Sequence, residues 1–275
     1  MTSTSPILRT DSVTLAWDKH TVSTDLTVEV PQGQFTAIIG PNGCGKSTLL
    51  KSFARILQPH TGQVYLGDNP LDSLHTKYIA QRIALLPQTA LAPTDITVEE
   101  LVGRGRFPYQ TLLRQWSTKD AQAVDSALLA TGTAQLRHRR VTELSGGQRH
   151  RVWLAMVLAQ NTPVVLLDEP TTYLDVAHQY QLLELARALR QQLGRTIVTV
   201  LHDLQQAVRY ADHLIVMKGG AVYAEGAPSS IMTPQLISEV FEINVDVHTI
   251  DDHVVIVPKS MPQPDVSVLE NLQEV

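Results

Sequence analysis

The sequence predicts an α/β domain with a mostly parallel sheet core, antiparallel strands near the N-terminus and an inserted helical subdomain. Two observations predict this fold. Short apolar runs typical of buried strands alternate with longer segments typical of helices, and this alternation favours a parallel sheet covered on both faces. Between about residues 89 and 162 the strand pattern gives way to helical patterns, which indicates an insertion in the sheet domain.

The first elements predict an antiparallel pair followed by a buried strand. Apolar residues alternate in two early stretches, which predicts two half-buried strands: Val13, Leu15 and Trp17, then Leu26, Val28 and Val30. Residues 31–34 predict a hairpin turn, because Pro31 and Gly33 favour a reversal before the apolar run Phe35–Ile39. A helix is expected over residues 48–57, and further strands are expected at 62–66 and 83–86.

The rest of the chain predicts helices first and then strands again. Thr97 and Glu100 form the pattern of a capping box that opens a helix. Further helices are expected at 119–131, 149–160, 176–193 and 234–240, with strands or hairpins at 164–167, 197–201, 214–224 and 245–257. These elements predict one domain over residues 7–260, with a core at 7–88 and 163–260, a helical subdomain at about 89–162, and a loose C-terminal tail at 261–275.

Composition and charge exclude several classes of function. The formal net charge is −5, which does not favour nucleic-acid binding because that requires clustered Lys and Arg. The one cysteine, Cys44, cannot form a disulfide within the chain, which fits a reducing cytosol. The first residues lack the apolar centre of a signal peptide, and no apolar run approaches the ~20 residues of a membrane-spanning helix. If the protein works at a membrane, it is expected to dock onto an embedded partner.

A glycine-rich loop between the strand Phe35–Ile39 and the next helix predicts a phosphate site. Its residues match the pattern G-x-x-x-x-G-K-[ST], which exposes backbone N–H groups and a helix N-terminus to an anion. The expected nucleotide contacts are Gly40, Pro41, Asn42, Gly43, Cys44, Gly45, Lys46, Ser47 and Thr48. Lys46 would neutralise the β- and γ-phosphates, and Ser47 would be a ligand of Mg²⁺. The proximity of Cys44 to Lys46 and to the helix N-terminus predicts an environment that favours the thiolate.

Two further motifs predict the rest of a hydrolytic site. The apolar run 164–167 ends in Asp168, which could hold Mg²⁺, and in Glu169, which could be the general base for an attacking water. Directly before a predicted helix, residues 144–148 offer a second set of anion-binding N–H groups. The nucleotide contacts expected there are Ser145, Gly146, Gly147 and Gln148.

In order and spacing, these motifs resemble the nucleotide-binding domain of ABC transporters over nearly the whole chain. The resemblance implies a RecA-like P-loop NTPase fold, with residues 144–148 as the signature motif. It also implies that Gln88 is the Q-loop glutamine near Mg²⁺ and the attacking water, and that His202 is the switch histidine. Asp175 would belong to the D-loop formed by residues 173–175, and Trp17 occupies the usual place of a tyrosine stacked on adenine.

Each of these residues also has a purely structural interpretation. Gln88 could be a surface glutamine, His202 a hydrogen-bonded residue at the end of a strand, and Trp17 a core residue. Together with Lys46 and Glu169, however, Gln88 and His202 complete the catalytic set that the resemblance implies.

Seven short motifs resemble those of the importers of iron–siderophore chelates: residues 103–108, 153–156, 158–160, 171–175, 178–179, 202–204 and 209–211. Importers of cobalamin and haem are close alternatives. An exporter ATPase and a soluble, non-transport ABC ATPase are further alternatives. His150 stands where these relatives usually have glutamine.

The resemblance implies a set of partners and a location. We expect a homodimer of ATPase subunits that binds ATP and Mg²⁺, with Lys46 of one subunit and Ser145 of the other at each nucleotide. The expected membrane partners are two integral-membrane permease subunits, with an indirect extracytoplasmic substrate-binding protein. The expected location is the cytoplasmic face of the bacterial inner membrane, as a peripheral subunit.

Overall fold

The computed structural model describes residues 6–18, 20–89, 95–111, 116–172, 174–251 and 253–259. Its strands are β1 (Pro6–Trp17), β2 (His20–Pro31), β3 (Phe35–Ile39), β4 (Thr61–Leu66), β5 (Asn69–Pro70), β6 (Ile83–Leu86), β7 (Val164–Asp168), β8 (Thr196–Val200), β9 (His213–Lys218), β10 (Ala221–Gly226), β11 (Val245–Ile250) and β12 (His253–Pro258). Its α-helices are α1 (Lys46–Phe53), α2 (Thr76–Ala80), α3 (Val98–Gly103), α4 (Thr118–Ala130), α5 (Gly146–Ala159), α6 (Val176–Leu193), α7 (Leu204–Tyr210), α8 (Pro228–Ile231) and α9 (Pro234–Phe241). Short 3₁₀ segments lie at Leu71–Ser73, Arg104–Tyr109, Ala134–Leu136 and Val141–Glu143.

The central sheet has the strand order β10-β9-β3-β8-β7-β6, and the strands from β9 to β6 are parallel. Every residue of β3, β7 and β8 is buried, as expected for a parallel sheet covered on both faces. The buried apolar residues form two clusters, and successive side chains of β7 pack into them alternately. Val165 and Leu167 belong to one cluster, and Val164 and Leu166 belong to the other. The predicted fold class is therefore confirmed.

The predicted hairpin at residues 31–34 is wrong. β2 lies in a separate antiparallel sheet of order β2-β1-β4-β5, whereas β3 pairs with β8 and β9 in the central sheet. The segment therefore carries the chain from one sheet to the other, and the backbone N–H of Gly33 donates to Thr196 Oγ1 at 2.9 Å. The strand expected at 62–66 exists as β4 but belongs to this antiparallel sheet.

Helix α1 begins earlier and ends earlier than the expected range 48–57. It begins at Lys46 because Gly45 adopts a left-handed conformation (φ 101°) at the N-cap. It ends at Phe53, since Arg55 turns to a positive φ of 55°. The Arg55 guanidinium then donates to the carbonyl oxygens of Leu71 and Leu74 at 3.2 and 2.6 Å.

The helical insertion contains α3, α4 and α5, and the capping box predicted at Thr97 and Glu100 is confirmed at the start of α3. A buried ion pair joins its parts: Arg106 Nε lies 2.9 Å from Asp120 Oδ1 on α4. Arg106 Nη1 also donates to the carbonyl of Ala159 on α5 at 2.7 Å. The insertion is therefore packed as a unit at one end of the sheet.

The predicted C-terminal elements are also confirmed, as the hairpins β9–β10 and β11–β12 and the helix α9. The expected tail at 261–275 lies outside the described residues, and the division at 7–88, 89–162 and 163–260 stays a prediction. Within the described ranges, no helix is both long and apolar enough to cross a membrane.

Candidate active site

The glycine-rich loop lies at the carboxyl end of β3 and leads into α1. A Cβ atom at Gly40 (φ 151°) would lie 2.1 Å from the carbonyl oxygen of Met217, so only glycine fits there. The first turn of α1 has no side-chain cap, which leaves its backbone N–H groups facing the loop. Such a helix N-terminus preceded by glycines is suited to binding phosphate.

Lys46 lies within this loop and is 5% exposed. Its Nζ donates to the carbonyl oxygens of Gly40 at 2.8 Å and Pro41 at 2.9 Å, so the ammonium group sits where the phosphates are expected. A cavity of about 340 Å³ opens at the loop. It is lined by His20, Val22, Asn42, Gly43, Gly45, Lys46, Ser47, Thr48, Glu169 and His202.

Ser47 and Asp168 lie in contact, as the predicted metal site requires. Ser47 Oγ donates to Asp168 Oδ1 at 2.6 Å. Asp168 is completely buried, and its Oδ2 has no hydrogen-bond partner among the described residues. Burial raises the pKa of Asp168, although the Ser47 hydrogen bond acts in the opposite direction. A buried carboxylate with a free oxygen beside a hydroxyl is a donor set that fits Mg²⁺.

Two of the predicted catalytic residues, Gln88 and His202, converge on the carboxylate of a third, Glu169. His202 Nε2 lies 2.7 Å from Glu169 Oε1, and Gln88 Nε2 donates to Glu169 Oε2 at 2.7 Å. The sheet order explains this convergence, because Gln88, Glu169 and His202 follow the adjacent parallel strands β6, β7 and β8. Functional groups commonly gather at the carboxyl edge of such a sheet. Glu169 also has a positive φ of 52°, a strained conformation that is frequent in active sites.

The signature residues lie elsewhere on the chain. Ser145 is the N-cap of α5, where its Oγ accepts from the N–H of Gln148 and its own N–H donates to Gln148 Oε1. Ser145 and Gly146 are exposed. Gly146 lines a different cavity of about 300 Å³ together with Gln88, and Gly147 lies near Leu174. The fold therefore does not bring the signature residues into the cavity of the phosphate loop.

Asp175 serves as the N-cap of α6 in the isolated chain. Its Oδ1 accepts from the backbone N–H of His178 at 2.9 Å, and its carboxylate also contacts His178 Nδ1 at 2.7 Å. These hydrogen bonds, the backbone one first, lower the pKa of Asp175. Tyr173, the first residue of the predicted D-loop, lies outside the described residues.

Trp17 lies against α1, beside the phosphate loop. Its Nε1 donates to Thr48 Oγ1 at 3.2 Å, and Lys51 Nζ lies 5.3 Å from the ring centroid. Trp17 is 44% exposed, so it is not a core residue and a planar ligand could stack on it. The sequence interpretation missed His20 and Val22, because a strand residue that lines a cavity carries no motif.

The expectation that Cys44 favours the thiolate is wrong. Burial raises the pKa of the Cys44 thiol, and this effect exceeds the opposite influence of Lys46. The sequence shows that Lys46 is near Cys44, but it does not show that the thiol is 5% exposed.

Comparisons with known proteins show the family to which the chain belongs. Residues 23–172 match the family described as ABC transporter. The ferric enterobactin transport ATP-binding protein FepC of Escherichia coli (strain K12) is 49% identical over 262 residues, covering 95% of this chain and 96% of that protein. The chain belongs to the ABC transporter family. As an ATP-binding member of this family, it is an ATPase.

Further relatives of this ABC transporter ATPase are importer subunits by name. The petrobactin import ATP-binding protein FpuD of Bacillus anthracis is 47% identical over 242 residues, covering 88% of this chain and 89% of that protein. The cobalamin import ATP-binding protein BtuD of Halobacterium salinarum (strain ATCC 29341 / DSM 671 / R1) is 42% identical over 225 residues, covering 82% of this chain but 56% of that protein.

Solved structures of ABC proteins share the fold of this ABC transporter ATPase. An inward-facing protein described as a metal-chelate type ABC transporter aligns with a TM-score of 0.78 and 25% identity, covering 93% of this chain and 98% of that one. A dimeric ATP-binding cassette in a post-hydrolysis state bound to ADP and Pi aligns with a TM-score of 0.73 and 27% identity, covering 80% of this chain and 98% of that one.

Proposed function

We propose that this ATPase powers an importer that takes up an iron–siderophore complex through a partner permease. The cargo proposal is supported by the relatives named for ferric enterobactin and petrobactin, which match most of their own length. Cobalamin is a second candidate, supported by a relative of lower identity that the chain spans only in part. Uptake of haem or another metal chelate is a further alternative.

The observation that carries the hydrolytic mechanism is the carboxylate of Glu169 held between Gln88 and His202. Glu169 accepts the proton from a water molecule as that water attacks the γ-phosphorus, and the bond to the bridging oxygen of ADP breaks. His202 and Gln88 orient the carboxylate and the water. Lys46 and the N–H groups of the loop balance the charge on the phosphates.

Mg²⁺ is the proposed cofactor at the carboxyl end of β7. Ser47 and Asp168 would hold it, and Gln88 would approach it from β6. When bound, Mg²⁺ neutralises charge on the β- and γ-phosphates. Asp168 supplies a buried carboxylate for this purpose, and its free Oδ2 supports the assignment.

The proposed active assembly is a head-to-tail homodimer. Its two sites each combine Lys46 of one subunit with Ser145 and the neighbouring N–H groups of the other. The exposure of Ser145 and Gly146 and the dimeric structural relative support this arrangement. We further propose that the dimer docks onto two permease subunits at the cytoplasmic face of the bacterial inner membrane, and that an extracytoplasmic binding protein delivers the cargo.

The variant Glu169→Gln tests the hydrolytic proposal. Glutamine keeps the size and hydrogen bonding of the side chain but cannot accept the proton, so phosphate release is expected to fall by roughly 10²–10⁴-fold. Gel filtration with ATP and Mg²⁺ should show a trapped dimer. Glu242→Gln is the matched control, because Glu242 also has a positive φ, of 60°, but lies at the end of α9. Near-wild-type turnover in Glu169→Gln would place the base elsewhere.

A further inference from the structure

Two glutamine side chains connect the D-loop, which carries Asp175, to the helix that follows His202. Gln179, in the first turns of α6, donates from Nε2 to the carbonyl oxygen of Leu174 at 3.0 Å. Gln206, on α7, donates from Nε2 to Gln179 Oε1 at 2.8 Å. The backbone N–H of Gln206 in turn donates to Asp203 Oδ1 at 2.9 Å, and Asp203 is the next residue after His202.

The carbonyl group of Leu174 determines which atom donates and which accepts in each of these side-chain hydrogen bonds. The carbonyl of Leu174 can only accept, so Gln179 must present its Nε2 to it and keep Oε1 for Gln206. Gln206 must then donate from its own Nε2. Its remaining Oε1 is buried without a partner among the described residues, in a side chain that is 4% exposed.

Stability does not explain Gln206 at this position. A buried amide oxygen without a donor destabilises the folded protein. Leucine is similar in size and would remove this cost, at the loss of the one hydrogen bond that the side chain donates to Gln179. Such an unsatisfied group in a folded protein calls for another explanation, and a functional role is a common one.

This series of hydrogen bonds runs from Leu174 to α7, and both of these lie next to residues of the proposed site. At one end, Leu174 lies beside Gly147 of the signature motif, with its Cδ2 3.7 Å from the place of a Gly147 Cβ. Asp175 follows it on the exposed surface. At the other end, α7 begins directly after His202 and Asp203, and His202 contacts Glu169 at 2.7 Å.

We propose that Gln179 and Gln206 are positioning residues that transmit the position of the D-loop to His202. When the facing subunit fixes the backbone at Leu174 and Asp175, the two amides hold α7 so that His202 stays on Glu169. The proposal rests on the proposed function, because the facing subunit belongs to the proposed dimer. In this proposal, hydrolysis depends on dimer closure because the two uncharged glutamine side chains link the D-loop to α7.

Gln205 provides a matched control on the same helix. Its side chain also makes two hydrogen bonds, but toward the C-terminal hairpin: Nε2 donates to the carbonyl of Val254 at 2.9 Å, and Oε1 accepts from the N–H of Ile256 at 3.0 Å. Gln205→Leu therefore loosens α7 from β12 without touching the D-loop.

The test measures kcat, KM for ATP and Tm in the complete transporter with its permease, for Gln179→Leu, Gln206→Leu, the double variant and Gln205→Leu. Gln206→Leu is expected to lower kcat by about 3- to 30-fold, the scale of coupling residues, with KM within about twofold. Its Tm is expected to change little, because removal of the buried orphan oxygen offsets loss of the hydrogen bond to Gln179. The double variant should lose no more kcat than the worse single variant, since both break one connection. Gln205→Leu should lower Tm and leave kcat within about twofold of wild type.

Several results would overturn the proposal. These are an unchanged kcat in Gln206→Leu, an equal loss of kcat in Gln205→Leu, or losses that multiply in the double variant. Glu169→Gln, measured in the same preparation, separates this failure from that of the proposed function. If Glu169→Gln is inactive while Gln206→Leu is fully active, the hydrolytic site stands and the connection through the glutamines does not.

Discussion

At the scale of a residue, Asp168 shows how burial affects the carboxylate that is proposed to hold Mg²⁺. The fold buries its carboxylate completely, and burial raises its pKa. A raised pKa means that the native protein binds a proton here more readily than the unfolded chain. The resulting loss of stability is absent below the ordinary carboxyl pKa, grows as the pH rises through the raised pKa, and is complete above it.

Asp168→Asn should therefore stabilise the protein in the absence of nucleotide and Mg²⁺ while harming its function. At pH 8 the Tm is expected to rise by about 2–4 °C for each kcal/mol of relieved cost. The advantage should vanish as the pH falls to the ordinary carboxyl value of about 4, because the native and the unfolded protein then both carry the proton on Asp168. The further rise in Tm that ATP and Mg²⁺ cause in the wild type should be reduced. A Tm difference that is the same at both pH values would show that ionisation of Asp168 is not its source.

Trp17 makes a second prediction at this scale. The indole is exposed beside α1 and held by Thr48, so stacking of adenine on it should change its fluorescence when ATP binds. Trp17→Phe keeps a ring for stacking but removes this signal, leaving Trp116 and Trp153. Titration with ATP should thus show a smaller change in the variant. An unchanged response would remove Trp17 from the nucleotide site.

The residues that sequence could predict are those whose chemistry requires a fixed type at a fixed spacing. Lys46, Glu169 and His202 are of this kind, and the structure brings them to one cavity. Gln179 and Gln206 could not be predicted, because an amide on a helix has no motif until its partner in space is known. The expectation of a thiolate at Cys44 was wrong for a related reason. The sequence shows that Lys46 is a near neighbour of Cys44, but it does not show that the thiol is buried.

At the scale of an element, the first residues of α5 have a structural role and a proposed role in nucleotide binding. Ser145 caps the helix through a capping box, and it is also the residue proposed to meet the γ-phosphate held by the facing subunit. Helix α4 provides the comparison, since Ser117 forms a capping box with Asp120. Both are capping boxes formed by a serine, and only one of them belongs to the signature motif.

Ser145→Ala and Ser117→Ala should each cost about 1 kcal/mol of stability through the lost cap. Urea denaturation measures this shared effect. Ser145→Ala should additionally weaken the dimer that forms with ATP and Mg²⁺ in the Glu169→Gln background, whereas Ser117→Ala should not. Equal dimerisation of the two variants would leave Ser145 with a structural role only.

Element positions were predictable where local chemistry decides them, and less so where tertiary contacts do. The capping box at Thr97 is local, and it was found from the sequence. The end of α1 depends on Arg55 reaching the carbonyls of Leu71 and Leu74, which are distant in sequence. Residues 31–34 have the composition of a hairpin turn, but β3 does not pair with β2. It pairs with β8 and β9, which are distant in sequence.

At the scale of the whole molecule, the sheet gathers the residues of the phosphate-loop cavity, and the residues proposed to complete the site in a facing subunit lie outside it. Adjacent parallel strands bring the phosphate loop, Asp168, Glu169 and His202 to one edge. The signature residues head α5 in the helical insertion and do not line that cavity. A single chain therefore holds both groups of residues apart, and this separation makes the shared-site proposal testable by mixing subunits.

Mixed dimers should distinguish a shared site from a site within one chain. If sites are shared, pairing a Lys46→Ala subunit with a Ser145→Arg subunit leaves one intact site, formed by Lys46 of the second subunit and Ser145 of the first. Pairing wild type with a subunit that carries both changes leaves none, because each site then contains one defect. With Glu169→Gln in every subunit, the purified mixed dimer of the first pairing should therefore occlude one ATP, and that of the second pairing none. A site within one chain predicts the reverse order, because the doubly changed subunit would leave its wild-type partner's site complete.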